Sequence, residues 1–144
     1  MEPTWILVAD AARARLFTVE RPRGPLQELA DFVNPEERLR EHDIEADDRG
    51  SVAGPGSRRH AFGENKDPKA EHARRFADEL AEHLKQARTR DEFRRLYLVA
   101  DPRFLGELRA TLDEQTQRLV VAAIDKEISA RDPADIRRHL PERL

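Results

Sequence analysis

Three aspartates stand at the ends of apolar runs. Asp10 follows Leu7-Val8-Ala9, Asp101 follows Leu98-Val99-Ala100, and Asp125 closes the run from Leu119 to Ile124. Carboxylates gathered at one sheet edge could hold Mg²⁺ through hard oxygen ligands and assist phosphodiester cleavage. Each also has a plainer use. Asp101-Pro102 repeats the pattern of Asp67-Pro68 and Asp132-Pro133, in which the carboxylate caps a helix and proline takes its first position. Asp10 has no proline behind it and can close a tight reversal as an Asx turn. Asp125 adjoins Lys126 and can pair with it. No catalytic residue, metal ligand or cofactor is assigned from this pattern.

The second chemistry-bearing group is basic. Arg49, Arg58, Arg59, His60 and Lys66, with Lys69 beyond, lie in or beside a stretch that carries Gly50 and Gly54-Pro55-Gly56. Arginines on a glycine-containing arm can grip phosphates without reading sequence. An acidic half precedes them: Glu36, Glu37, Glu41, Asp43, Glu45, Asp47 and Asp48. It competes for the same arginines or serves as a docking arm for a protein. Ser57 near His60 is too local to define a triad. His72 and His83 are eleven residues apart without zinc-site spacing, and histidines on a helix flank are ordinarily solvated. Trp5 and Phe104 read as packing residues. Arg13 and Arg15 are expected to pair with Asp10 or line the same edge.

These residues need a scaffold. With 144 residues the chain is expected to be one α/β domain over 1–144, with a long charged, flexible insertion at about 34–66. Thr4 to Ala9, Arg15 to Glu20 and Leu26 to Val33 predict a three-strand meander, broken at Pro22-Arg23-Gly24-Pro25. In the third strand, Leu29 and Val33 share one face and Phe32 takes the other. Asn34-Pro35-Glu36-Glu37 carries a possible capping box. Ala73, Phe76, Ala77, Leu80, Leu84 and Ala87 form a helical stripe, as do Leu105, Leu108 and Leu112, with Ile136 and Leu140 inward on a short last helix. The runs at Leu96 and Leu119 supply two more strands, read as buried. The order is β-β-β, insertion, α-β-α-β-α. Right-handed crossovers set the later strands parallel to the first, giving a mixed five-stranded sheet of order 3-2-1-4-5, ribonuclease-H-like. A flavodoxin-like sheet is the alternative.

Composition narrows the functions. A net charge of -3 argues against an avid nucleic-acid binder overall, so any such binding needs a local basic patch. Zero cysteines exclude disulfides, thiolate zinc sites and a cysteine nucleophile. The opening Met1-Glu2-Pro3-Thr4 does not resemble a signal peptide, and no run is long enough to span a membrane. The expectation is a cytoplasmic protein.

The segments Trp5 to Asp10 with Ala12-Arg13-Ala14-Arg15, Asn34-Pro35-Glu36 with Arg38-Leu39, the Arg58-Arg59-His60 stretch, Ala73 to Leu80, Leu98 to Gly106, and Ile124-Asp125-Lys126-Glu127 together resemble the bacterial host attachment protein family. The resemblance covers nearly the whole chain. It implies distant kinship with the middle domain of archaeal and eukaryotic peptide-chain release factors, and hence the same sheet order. Those factors present Gly-Gly-Gln on the loop before the first long helix. Here that loop reads Gly54-Pro55-Gly56-Ser57-Arg58-Arg59-His60, so peptidyl-tRNA hydrolysis does not carry over. The leading expectation is a non-enzymatic module that binds RNA or the ribosome. The alternatives are a metal-dependent phosphodiesterase or nuclease on Asp10, Asp101 and Asp125, and a protein-interaction or regulatory domain in attachment.

Overall fold

The computed structural model describes residues 1–36 and 67–144. Five strands form one sheet: β1 (Thr4–Ala9), β2 (Arg13–Thr18), β3 (Gln27–Val33), β4 (Arg95–Ala100) and β5 (Val120–Asp125). Among the described residues four whole helices accompany them: α1 (Pro68–Thr89), α2 (Pro102–Thr111), α3 (Glu114–Arg118) and α4 (Pro133–Arg138). The strand order is β3-β2-β1-β4-β5. β1 pairs antiparallel with β2 and parallel with β4, β2 with β3 is antiparallel, and β4 with β5 is parallel. The 3-2-1-4-5 reading therefore holds and the flavodoxin-like alternative falls.

The apolar runs explain the centre of the sheet. All six residues of β1 are buried, as are five of the six in β4, because both faces are covered. On one face α1 and α2 set Phe76, Leu80, Leu84, Leu105 and Leu108 against Leu7, Leu16 and Leu98. On the other, Ile128, Ile136, Leu140 and Leu144 cover Ile6, Val8, Phe17 and Val99. Full burial of side chains such as Phe17, Phe76 and Phe93 stabilises by about 1.5–3 kcal/mol each.

The edges depart from the sequence reading. β5 is an edge strand rather than a buried one. Leu96 pairs with Val120 and Tyr97 with Ala122, so Val121 is a bulged residue, 45% exposed. The opposite edge repeats the device: Leu16 pairs with Ala30 and Phe17 with Glu28, leaving Leu29 bulged and 48% exposed. Bulges twist an edge away from further strand pairing. Phe32 packs on the α1 side, and Val33 is exposed. β2 begins at Arg13, two residues earlier than expected, because Asp10 turns the chain at once.

Every helix of the four starts at an aspartate. Asp67, Asp101, Asp113 and Asp132 each accept a backbone N–H of the first turn. Three follow the Asp-Pro rule. The fourth, α3, was not expected from the sequence, since Asp113-Glu114 has no proline and the helix lasts five residues. The start of a helix at Pro35-Glu36 is described, with the Asn34 carboxamide oxygen accepting from the Glu36 N–H. Its proposed capping partner Glu37 lies outside the described residues. Among the described residues no helix is long and apolar enough to cross a membrane.

Candidate functional site

The carboxyl ends of β1 and β4 meet the amino ends of α1 and α2, the rim where open α/β sheets keep ligand sites. Asp10 leaves β1 there. Its Oδ1 accepts from the Ala12 N–H at 2.7 Å and the Arg13 N–H at 2.9 Å, and its Oδ2 accepts from Ser129 Oγ at 2.6 Å. The carboxylate is thus an Asx turn tied to the segment after β5. Asp101 accepts from the Phe104 N–H at 3.0 Å and caps α2. Asp125 ends β5 level with Ala100 and is exposed. Among the described residues no group of three or more His, Cys, Asp and Glu side chains could hold a metal ion. The three carboxylates share an edge without converging.

Asn34 fixes the other side of the rim. It is 2% exposed; its Nδ2 donates to the carbonyls of Ala11 at 2.9 Å and His72 at 3.2 Å, and its backbone N–H donates to Ala12 O at 2.9 Å. One carboxamide therefore locks the end of β3 to the β1–β2 turn and to α1. Beside it lies a cleft of about 80 Å³ lined by Ala11, Ala70, Ala73 and Phe104, with Lys69 and Arg103 as its cations and Asp101 and Glu107 as its acids. Neither the Lys69 nor the Arg103 side chain has a hydrogen-bond or ion-pair partner among the described residues. The amino ends of α1 and α2 add partial positive charge at the same rim. Two cations and two acids thus share the cleft, over a floor of Ala11, Ala70, Ala73 and Phe104.

Of the residues predicted to bind, Arg49, Arg58, Arg59, His60 and Lys66 lie outside the described residues, as does Ser57. Of the acidic half, only Glu36 is described; it pairs with Arg75, and His72 Nε2 stands 3.6 Å from it. Several expectations are corrected. Arg13 faces Asp31 at 3.9 Å rather than Asp10. Arg15 is buried and grips Glu28 through Nε at 3.1 Å and Nη2 at 3.2 Å, while Nη1 donates to Ser129 O at 3.1 Å and Arg131 O at 2.6 Å. Alternation places Arg15 on the face covered by the last segment, so its charge is met there by carbonyls. Lys126 contacts His139 instead of Asp125, its Nζ lying 3.4 Å from Nδ1. His83 is exposed, as expected of a helix flank, with its ring 6.4 Å from Trp5 and 5.0 Å from Phe32. Trp5 and Phe104 pack as expected, against Phe93 and Phe76.

Sequence reasoning missed Ser129, Asn34 as a clamp, and Arg103 as a cleft cation. Ser129 carries no local signal, because its partner Asp10 is 119 positions away. Arg103 could have been flagged from its place directly after the Asp-Pro cap. Away from the rim, Asp113 is held below the ordinary carboxylate range, first by its hydrogen bond with Thr116, with Arg88 adding to the effect. Asp135 is lowered by Arg131 and then Arg138.

Fold and rim together define a mixed α/β domain with a cation-bearing cleft at the carboxyl edge of its sheet. The chain belongs to the family described as "Protein required for attachment to host cells", whose model matches residues 5–140. No curated protein matches the sequence. Among solved structures, the chain is similar to an archaeal translation termination factor, aRF1, at 10% identity and a TM-score of 0.48, covering 97% of this chain and 35% of that one. It is also similar to the Aquifex aeolicus Ppx/GppA phosphatase, type II variant, at 12% identity and a TM-score of 0.38, covering 87% of this chain and 36% of that one. The chain thus spans about a third of either protein.

Proposed function

We propose that the chain is a non-catalytic, cytoplasmic binding module for the phosphate backbone of RNA, free or within the ribosome. The observation that carries this reading is the pair of cations without partners among the described residues, Lys69 and Arg103, in the rim cleft they share with Asp101 and Glu107. In the sequence, Arg49, Arg58, Arg59, His60 and Lys66 fall between Asn34 and Asp67, two described residues that lie at that rim. Asn34 is tied to Ala11, and Asp67 caps α1. A guanidinium binds phosphate as a bidentate fork and an ammonium as a point charge, so such contacts position a backbone without reading bases. The description of the family, required for attachment to host cells, then fits an indirect part in attachment, through regulation.

The test is ribosome and RNA co-sedimentation at several salt concentrations. Substituting Arg58→Ala with Arg59→Ala, and separately Lys69→Ala with Arg103→Ala, is expected to weaken sedimentation and flatten its salt dependence. Sedimentation unchanged in both double variants contradicts the reading. Loss of a protein partner when residues 36–48 are deleted, with RNA binding absent throughout, would instead favour a protein-interaction domain.

A further inference from the structure

The opposite end of the sheet carries a second cationic surface built from the β2–β3 turn and the segment after α4. The β2–β3 turn, closed by Gly24 N–H donating to Arg21 O at 2.9 Å, sits against the segment after α4. Arg137 fastens the two. Its Nε donates to Gly24 O at 2.8 Å, its Nη2 to Glu142 O at 2.8 Å and Pro22 O at 3.3 Å, and its Nη1 to Pro141 O at 2.7 Å. The Leu144 N–H adds a bond to Pro22 O at 2.8 Å. Leu26, Leu140 and Leu144 are buried beneath.

This staple presents Arg21, Arg23 and Arg143 around one cleft of about 370 Å³, and Arg23 and Arg138 line the adjoining one. Of the acids in these segments, exposed Glu20 directly precedes Arg21 in the chain. Glu142 pairs with Arg23 at 2.9 Å, and Asp135 is taken by Arg138 and Arg131. The side chains of Arg21 and Arg143 have no partner among the described residues, although most of the described arginines do. The backbone beneath them is fixed by five hydrogen bonds from Arg137 and Leu144, so little main-chain ordering opposes binding.

We infer that Arg21, Arg23 and Arg143 form a second phosphate-backbone contact, at the rim opposite the Lys69–Arg103 cleft. Strands of six residues separate the two rims by about 20 Å, at a rise of roughly 3.3 Å per residue. A single RNA strand would then touch both ends of the domain. The inference rests on the RNA reading above and adds where, and how far, the strand extends.

The experiment is fluorescence anisotropy of the full chain with a labelled single-stranded RNA of about 16 nucleotides, titrated at several salt concentrations. Arg21→Ala with Arg143→Ala is expected to weaken binding about tenfold and to reduce the slope of log K against log salt by about 1.4, two contacts at roughly 0.7 each. Both side chains are exposed, so the melting temperature should not move. Lys85→Ala with Arg109→Ala removes the same charge from two other exposed cations without partners and should leave affinity unchanged. Equal weakening by both pairs would overturn the patch in favour of diffuse net charge. Wild-type binding that responds to Lys69→Ala with Arg103→Ala but not to the Arg21 pair overturns this inference alone. A wild-type chain that binds anionic lipid vesicles and no RNA overturns it together with the reading it rests on.

Discussion

Asp10 shows how a residue suited to chemistry can be spent on architecture. Its two oxygens accept from Ala12, Arg13 and Ser129, which closes the β1–β2 reversal and pins the segment after β5 to it. Asn retains an acceptor for both backbone N–H groups and an amide for the Ser129 hydroxyl, whereas Ala retains nothing. Asp10→Ala is expected to cost about 1–3 kcal/mol of stability, and Asp10→Asn less than about 1 kcal/mol, read by urea denaturation. A catalytic role would reverse the emphasis, with Asp10→Asn folding normally and losing an activity. Arg15 is a comparable wager. Removing its guanidinium leaves the Ser129 and Arg131 carbonyls without that donor, while exposed Glu28 turns to water, so Arg15→Ala should destabilise by about 1–3 kcal/mol in the same measurement.

At the scale of elements, the helices are held by their aspartates and by one arginine. Arg88, in the last turn of α1, reaches Thr116 Oγ1 at 3.1 Å, Gln115 Oε1 at 2.8 Å and Asp113 Oδ2 at 3.3 Å, locking α1 to the cap of α3. The hydrogen bond with Thr116 first, and Arg88 after it, hold the Asp113 carboxyl below its unfolded value. A carboxylate depressed on folding stabilises above its unfolded pKa and loses that contribution as pH falls through its folded pKa. Asp113→Asn should lower stability at pH 7 and match wild type once the pH is well below about 3.9, the ordinary aspartate value, as followed by denaturation across pH. These elements were unequally legible in the sequence. Asp-Pro announced α1, α2 and α4 because proline leaves its predecessor few conformations. α3 escaped because its cap lacks proline and its stability comes from Arg88, 25 positions away. β5 was misjudged as buried because hydrophobicity alone does not reveal which strand lies at the edge; Val121 is exposed through a bulge that only pairing creates.

For the whole molecule, the strand order was legible because apolar β1 and β4 must be central and right-handed crossovers leave one arrangement. The site was less so. The carboxylates Asp10, Asp101 and Asp125 were visible by type, yet turn and cap geometry, which decides their use, is set by neighbours in space. Lys69 and Arg103 come from different helices and meet only when α1 and α2 begin at one rim. The resulting domain carries cations without partners among the described residues at both ends of a short sheet, on a chain of net charge -3. Binding of RNA should therefore be local rather than spread over the surface. Ultraviolet cross-linking of the wild-type chain to RNA, with the adducts located by mass spectrometry, tests this most directly. The account predicts adducts on peptides holding Arg58 to Lys69 and Arg103, joined at the opposite rim by those holding Arg21 and Arg143. Adducts scattered without preference for either rim, or none at all under conditions that label a known RNA-binding control, would contradict it.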